Sequence, residues 1–169
     1  MIIMGVDPGT AITGYGVVRR ESSTRFTALG FGAITTAPDQ RMEQRLAAIY
    51  AEMQHLITEF QPDCIAVEQL FFNTNVTTAI TVGQARGVVL LAAAHSNLAI
   101  AEYTPLQVKQ AVTGQGRASN EQIGYMVRVL LGLKDVPRPD DVADALAISL
   151  CHGYNCRKWS DGHDCNAAW

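Results

Sequence analysis

Four acidic residues lie at positions where an ordinary surface charge is not expected. Asp7 and Glu68 each follow directly on an apolar run, whereas Asp141 and Asp144 are three residues apart at the start of an otherwise apolar helical segment. This spacing puts the last two on one face of a helix. Carboxylates held close together repel each other unless protons or cations intervene. Oxygen ligands suit hard divalent ions such as Mg²⁺ or Mn²⁺, and two such ions can promote hydrolysis of a phosphodiester.

Each of these acids also has a plain structural interpretation. Asp7 could cap the turn at Pro8–Gly9, and Glu68 could end a strand at the surface. Acids at the start of a helix are favourable partners of the helix dipole. Asp140 is four residues from Asp144, so its spacing is compatible with a metal ligand, but we expect it to cap the helix. The combination of acids, more than any single one, favours a metal site.

The elements that must position these acids follow from the apolar pattern. Three strands that form a meander come first, and helices and strands then alternate, so we predict a mixed α/β sheet with helices on both faces. The continuous apolarity of residues 64–68 favours an interior, parallel strand. The predicted strands are residues 2–7, 14–18, 26–34, 64–68 and 98–103, and the predicted helices are residues 38–60, 76–96, 119–131 and 141–154, with a further helix opening at the capping box Thr104–Gln107.

Composition excludes several classes of protein. The chain has 169 residues, of which 48% are hydrophobic and 17% charged, which excludes a disordered chain. It contains no apolar run long enough to cross a membrane and no signal peptide, so we expect a cytoplasmic protein. The net charge of −3 taken alone argues against general nucleic-acid binding. However, residues 86–134 carry a local charge of +3, so the average hides a basic middle segment.

The cysteines do not form a familiar metal motif. Cys151, Cys156, His163 and Cys165 have spacings that differ from those of usual zinc sites. Cys64 lies in an apolar run and has the character of a small buried side chain. We therefore expect one domain over residues 1–154 and a disordered tail over residues 155–169.

Several motifs in order resemble the RuvC family of Holliday-junction resolvases. They are Gly5–Thr10 followed by Thr13–Gly16, then Ala66–Gln69, Gly83–Gly87, Tyr103–Gly116 and Asp141–Ala147. The resemblance extends to about residue 153. It implies a ribonuclease H-like fold, a homodimer, and four metal-binding acids at Asp7, Glu68, Asp141 and Asp144. It also implies paired symmetric nicks at a four-way DNA junction, with 5′-phosphate products, and the RuvAB branch-migration complex as a partner.

Under this resemblance we hypothesise two-metal hydrolysis, with Mg²⁺ or Mn²⁺ as the cofactor. Asp7 would bridge two ions. Glu68 and Asp144 would each bind one, and Asp141 would complete the second.

The resemblance also suggests residues that contact DNA or a second subunit. Phe71 matches a base-contacting aromatic residue of the family, and its neighbour Phe72 is a second candidate that could instead pack on the core or on the partner subunit. Gly83 and Gly87 are four residues apart, which allows close approach of a partner helix, although packing within the chain is an alternative. The remaining candidates for DNA binding are Arg86, Lys109, Arg117 and Asn120.

One of these positions departs from the family pattern. The family often has a lysine at the position of Asn120, and Arg117 could supply the missing positive charge.

Rival interpretations remain at this stage. An ATPase of the actin, sugar-kinase and Hsp70 class also begins with a strand and an acidic glycine turn, but it needs two such domains, for which the chain is too short. A junction-binding module without catalysis, or a related nuclease that acts on RNA-containing or linear DNA, shares the fold. Retention of all four acids argues against the module without catalysis. The Phe71 loop favours a junction as the substrate over RNA-containing or linear DNA.

Overall fold

The computed structural model describes residues 1–69 and 76–156. Its strands are β1 (Ile2–Asp7), β2 (Ile12–Arg20), β3 (Phe26–Thr35), β4 (Cys64–Glu68) and β5 (Ala99–Tyr103). Its helices are α1 (Met42–Phe60), α2 (Val76–His95), α3 (Pro105–Thr113), α4 (Asn120–Leu130) and α5 (Asp140–Asn155). The described part of the chain thus contains the five predicted strands, within a few residues of their predicted bounds.

The strands form one mixed sheet in the order β3-β2-β1-β4-β5. The first three are antiparallel, and β4 lies between β1 and β5 and runs parallel to both. The predicted meander and the predicted interior position of β4 are therefore confirmed. In the parallel register Val6 pairs with Val67, so the next residues along, Asp7 and Glu68, end neighbouring strands at the same edge of the sheet.

Helices cover both faces of the sheet, as predicted. One face packs against α1 and α2 through a core that includes Met4, Ile49 and Val89. The other face packs against α3, α4 and α5 through a core that includes Ile3 and Leu146. Alternate residues of β1 and β4 contribute to the two cores, because successive side chains of a strand point to opposite faces.

One predicted helix boundary is wrong. The helix predicted from residue 38 begins at Met42, with Arg41 as its N-cap residue. The preceding residues form a turn instead, in which the Gln40 main-chain N–H donates to the Ala37 carbonyl and the Gln40 side chain accepts from the Ala37 N–H. This turn satisfies the backbone groups that an earlier start of the helix would have used.

The two capping boxes predicted from sequence are present. The Thr104 hydroxyl accepts from the Gln107 N–H at 3.1 Å, and the Ser119 hydroxyl accepts from the Gln122 N–H at 3.3 Å. In each box the glutamine side chain accepts in return from the N–H of the capping residue. These caps fix the first turns of α3 and α4, the helices that carry Lys109 and Asn120.

Helix α5 lies unusually close to β1 and β2. A Cβ atom added at Gly5 would lie 2.1 Å from the Ala145 carbonyl oxygen, and one at Gly16 would lie 2.7 Å from the Leu146 side chain. The buried Ser149 hydroxyl accepts from the Gly5 N–H and donates to the Gly16 carbonyl, both at 2.7 Å. Glycine is therefore required here because the backbone of the helix occupies the space of a side chain.

Some predictions fall outside the described residues. The predicted tail includes Asn155, which is the last residue of α5, and continues from residue 157 beyond the described part, together with His163 and Cys165. Cys151 and Cys156 are buried. Within the described residues, no helix has both the length and the apolarity needed to cross a bilayer.

The contact at Gly5 gives a first testable prediction. Gly5→Ala should lower the free energy of unfolding by roughly 3 kcal/mol or more, because the new methyl group overlaps the backbone of α5 and the helix must move away from the sheet. The measurement is urea denaturation followed by circular dichroism. Gly116→Ala is the control, since its added Cβ would meet the exposed side chains of Leu106 and Gln110 and no backbone atom within the described residues. Equal stability of the two variants would show that the close contact does not exist.

Candidate active site

Two acids of the candidate site come from neighbouring strand ends. Asp7 is the last residue of β1 and Glu68 is the last residue of β4. Residues two apart on a strand share one face of the sheet, so Asp7 lies on the same face as Gly5, and Glu68 on the same face as Ala66. That face is the one covered by α5. The strands thus present two acidic side chains at one edge, next to the helix that carries the other two.

The turn that follows Asp7 is held by a different residue. The buried Thr13 hydroxyl donates to the Gly9 carbonyl at 2.6 Å and accepts from the Gly9 N–H at 3.4 Å. This pair of contacts closes the Pro8–Gly9 turn and accounts for it without Asp7. The structural interpretation of Asp7 as the turn cap is therefore not supported.

Gly14 brings the first turn of α5 to Asp7. Gly14 pairs with Asp7 in the antiparallel register, and a Cβ atom added to Gly14 would lie 2.0 Å from the Asp141 carbonyl oxygen. The backbone of Asp141 thus packs against the residue opposite Asp7. Since Asp144 lies one helical turn further along, it shares the face of α5 that contains Asp141.

The prediction that Asp140 caps α5 is wrong. Asp140 is the first helical residue, the N-cap residue is Pro139, and the N-cap makes no side-chain hydrogen bond. The carboxylate of Asp140 instead forms an exposed ion pair with Arg138. Proline at the cap leaves the first acid inside the helix, where its charge still favours the N-terminal end of the dipole.

Burial and mutual repulsion raise the pKa of three of the acids. Burial, followed by the charges of Asp144, Glu68 and Asp141, raises the pKa of Asp7 from 3.8 to about 8. Burial and Asp144 raise the pKa of Glu68 to about 7, and burial with Asp140 and Asp141 raises the pKa of Asp144 to about 6. The four predicted acids therefore form one electrostatically coupled group, and a cation would relieve its repulsion.

A cavity of about 240 Å³ opens beside these acids. Its polar lining consists of Glu68, Asp144, Lys109 and Asn120, and its apolar lining of Pro105, Val108, Ile123 and Ile148. The charge of Lys109 opposes the rise in the pKa of Glu68 and of Asp144. Two of the residues suggested for DNA contact, Lys109 and Asn120, thus lie at the same cavity as two of the acids.

The other residues suggested for contact with DNA or with a second subunit do not line this cavity within the described part of the chain. Arg117 is exposed in the turn before α4 and does not line this cavity. The Arg86 side chain is only 17% exposed, and its guanidinium forms an ion pair with Glu102 at 2.6 Å. Gly87 is exposed, and a Cβ atom added there would meet nothing within 4 Å among the described residues. Phe71 and Phe72 lie outside the described residues.

The donor chemistry of the acids fits a hard divalent ion, since all four offer oxygen and the pKa values of three are raised by burial and then by the charges of neighbouring acids. Among residues 1–69 and 76–156, no three acidic, histidine or cysteine side chains converge closely enough to form a metal-binding group. The backbone thus brings the four acids to one edge, and their side chains do not meet at ligand distance.

Sequence reasoning missed the residues that hold the acids in place. Thr13 and the glycines against α5 lie within the motifs of the family resemblance, and Ser149 lies just beyond them, but none carries an acidic or basic group that would indicate a role at the site. A signal was present in the spacing, because Gly14 and Gly16 are two residues apart on one strand face, and Ala145 and Ser149 are four apart on one helix face. Small residues at matching positions of a strand and a helix indicate close approach.

Comparison with known proteins identifies relatives over nearly the whole chain. The family model described as "Crossover junction endodeoxyribonuclease RuvC" matches residues 3–152. The protein of that name from Ruminiclostridium cellulolyticum is 55% identical over 93% of this chain and 94% of its own length. The one from Moorella thermoacetica is 59% identical over 90% of both chains.

A solved structure is similar in fold as well as in sequence. It is described as T. thermophilus RuvC in complex with Holliday junction substrate, and it superposes with a TM-score of 0.86 at 39% identity. The match covers 91% of this chain and 93% of that one.

The coupled acids predict an unusual dependence of stability on pH. Because the pKa values of Asp7, Glu68 and Asp144 are higher in the folded state than in exposed carboxyl groups, the folded protein binds more protons than the unfolded chain. The metal-free protein should therefore lose stability as the pH rises from about 4 to about 8. Asp7→Asn should be as stable as the wild type near pH 4 and more stable at pH 8, by roughly 1 to 3 kcal/mol.

The measurement is thermal unfolding in EDTA at a series of pH values, with the exposed Asp39→Asn as the control. Addition of Mg²⁺ at pH 8 should raise the melting temperature of the wild type and have less effect on Asp7→Asn. A melting temperature of Asp7→Asn below that of the wild type at pH 8 would contradict the coupling.

Proposed function

Since this chain belongs to the RuvC family of crossover junction endodeoxyribonucleases, we propose that it resolves four-way DNA junctions by paired symmetric nicks. The observation that carries the proposal is the group of four acids at the edge formed by β1, β4 and the start of α5. This group lies within a fold that matches a relative whose structure is described with a Holliday junction substrate. The proposed products carry 5′-phosphate ends.

The four acids are the proposed ligands of two divalent ions, Mg²⁺ or Mn²⁺. Bound ions would supply an activated water and would stabilise the leaving oxygen of the phosphodiester. The chain contributes the carboxylates that would attract these ions, and burial raises the pKa of three of them, Asp7, Glu68 and Asp144. Because the same burial favours protonation, metal binding should displace protons and should weaken as the pH falls.

Lys109 and Asn120 are the proposed groups that orient the scissile strand. Lys109 is half-buried and acts on the charges of Glu68 and Asp144, so its ammonium lies within electrostatic range of the site. Asn120 opens α4 beside the same cavity, where its amide can donate to a phosphate oxygen. The exposed Arg117 is the proposed source of a further phosphate contact, and Phe71, with Phe72 as its neighbour, is the proposed stacking residue for an unpaired base.

The solvent-facing side of α2 is the proposed dimer interface. It contains Ile80, which is 58% exposed, and Leu91, which is 48% exposed, with Gly87 between them at helical spacing. Gly83 lies one turn before Gly87. An apolar helix face with a glycine in open space suits close contact with the same helix of a second copy, and a two-fold dimer offers two identical sites to a junction.

The proposed role in the cell is DNA recombination and repair, in the cytoplasm and together with the RuvAB branch-migration complex. These assignments rest on family membership. A junction cut symmetrically leaves ends that a ligase can seal, which is what recombination requires of such an enzyme.

A substrate comparison tests the proposed function. The protein is incubated with labelled four-way junction, linear duplex and RNA–DNA hybrid in Mg²⁺ or Mn²⁺, and we expect paired symmetric nicks on the junction alone. Asp7→Asn should bind the junction and lose cleavage by roughly three orders of magnitude, because one proposed metal ligand is removed. Asp39→Asn is the matched control and should cleave normally.

Each other outcome of this comparison has a distinct meaning. Cutting of the hybrid or the linear duplex alone would favour a related nuclease with another substrate. Binding of the junction without cleavage by the wild type would indicate a catalytically silent module. Undiminished cleavage by Asp7→Asn would contradict the assignment of the acids.

The dimer proposal has its own test. Ile80→Glu combined with Leu91→Glu should convert the protein from a dimer to a monomer, because two charges would be buried at the apolar interface. The measurement is the solution mass from light scattering after gel filtration. Val129→Glu, on the exposed face of α4, changes a residue that is 49% exposed and should leave the mass unchanged. A wild-type protein that is monomeric at all concentrations would overturn the proposal.

A further inference from the structure

Among the described residues, Arg86 makes two contacts at the end of β4, and neither is with a carboxylate of the active site. Its side chain reaches from α2 and donates through Nε to the main-chain carbonyl of Glu68 at 3.3 Å. Its Nη2 atom forms an ion pair with Glu102 on β5 at 2.6 Å. The side chains of Arg86 and Glu102 are 17% and 26% exposed, so the pair is largely shielded from solvent.

These contacts are at the point where β4 and β5 end. Glu102 is on the neighbouring strand, where it pairs with Val67, one residue before the pair of Glu68 with Tyr103. The Gln69 N–H donates to the Tyr103 carbonyl at 2.8 Å, so the two strands stay joined one residue beyond Glu68. Arg86 adds a further connection between the two strands. It does so from α2, which covers the face of the sheet opposite to α5.

We propose that Arg86, held in place by Glu102, is a positioning residue that fixes the backbone of Glu68 and thereby the placement of its carboxylate in the active site. The inference rests on the proposed function of the acids as metal ligands. It differs from the expectation that Arg86 contacts DNA, because a phosphate would have to compete with Glu102 for the same guanidinium.

The geometry of the guanidinium explains why arginine is needed. Its Nε and Nη2 atoms donate in fixed directions, one to the Glu68 carbonyl and one to the Glu102 carboxylate. A lysine ammonium keeps the charge but cannot reproduce this planar pair of donors. A residue that supports a ligand without touching the ion typically changes metal affinity or activity when it is replaced.

Glu102→Gln and Arg86→Lys distinguish the positioning role of Arg86 from a direct contact with DNA. Glu102→Gln should lower the rate of junction cleavage under single-turnover conditions by roughly 10- to 100-fold, because Arg86 loses its anchor. Under a DNA-contact role, the same variant would release a cation and increase affinity for the junction. Arg86→Lys should lower the cleavage rate nearly as much as Arg86→Gln, whereas a DNA contact would be retained by lysine.

The salt dependence of junction binding provides a readout that does not depend on cleavage. Under the positioning role, Arg86→Gln keeps the wild-type slope of log K against log salt concentration. Loss of a phosphate contact would reduce that slope by about one and would overturn the inference. The positioning role also predicts that Arg86→Lys needs several-fold more Mg²⁺ for half-maximal cleavage, an effect that general destabilisation would not produce.

Arg19→Gln is the matched control, since Arg19 is exposed and pairs with Ile2 at the end of β1 opposite to Asp7. It should cleave and bind as the wild type does. If the wild type cleaves the junction and Glu102→Gln cleaves equally well, the positioning role is wrong while the proposed function stands. If the wild type does not cleave, the proposed function fails, and the salt slope of Arg86→Gln still decides between the two roles of Arg86.

Discussion

The contact between α5 and the glycines of β1 and β2 is the constraint on which the site depends. Gly5, Gly14 and Gly16 let the backbone of the helix approach to where side chains would otherwise stand. Ser149 then fixes the helix along the strands by bonding to both of them. Because the first turn of α5 is placed by this contact, its two acids reach the ends of β1 and β4.

This placement has an electrostatic cost that the rest of the domain must offset. Burial raises the pKa of Asp7 to about 8, so the folded state disfavours the charge that the proposed chemistry requires. Apolar cores on both faces of the sheet supply the opposing stabilisation, and Lys109 relieves part of the repulsion at Glu68 and Asp144. Function and stability are therefore in tension at this edge, as is common for sites that concentrate charge.

Sequence reasoning succeeded where a pattern is local. The strand ends at Asp7 and Glu68 and the spacing of Asp141 and Asp144 follow from apolar runs and helical periodicity. It was wrong about two local details, because a turn at Ala37–Gln40 precedes α1 and Pro139, not Asp140, is the N-cap of α5. It missed the contacts between residues that are distant in sequence. The contacts of α5 with the strands join residues more than 120 positions apart, and no periodicity within either element specifies them.

The fold also changes how the distribution of basic residues is interpreted. The basic excess over residues 86–134 suggests a surface for DNA when charges are only counted along the chain. In the fold, Arg86 is largely buried and paired with Glu102, whereas Lys109 lies at the acidic cavity and Arg117 is exposed. Since an arginine held by a carboxylate releases no counterion when DNA binds, it adds little to affinity for a phosphate backbone. Of the basic residues proposed to contact DNA, Lys109 therefore lies at the cavity beside the acids and Arg117 in the exposed turn before α4.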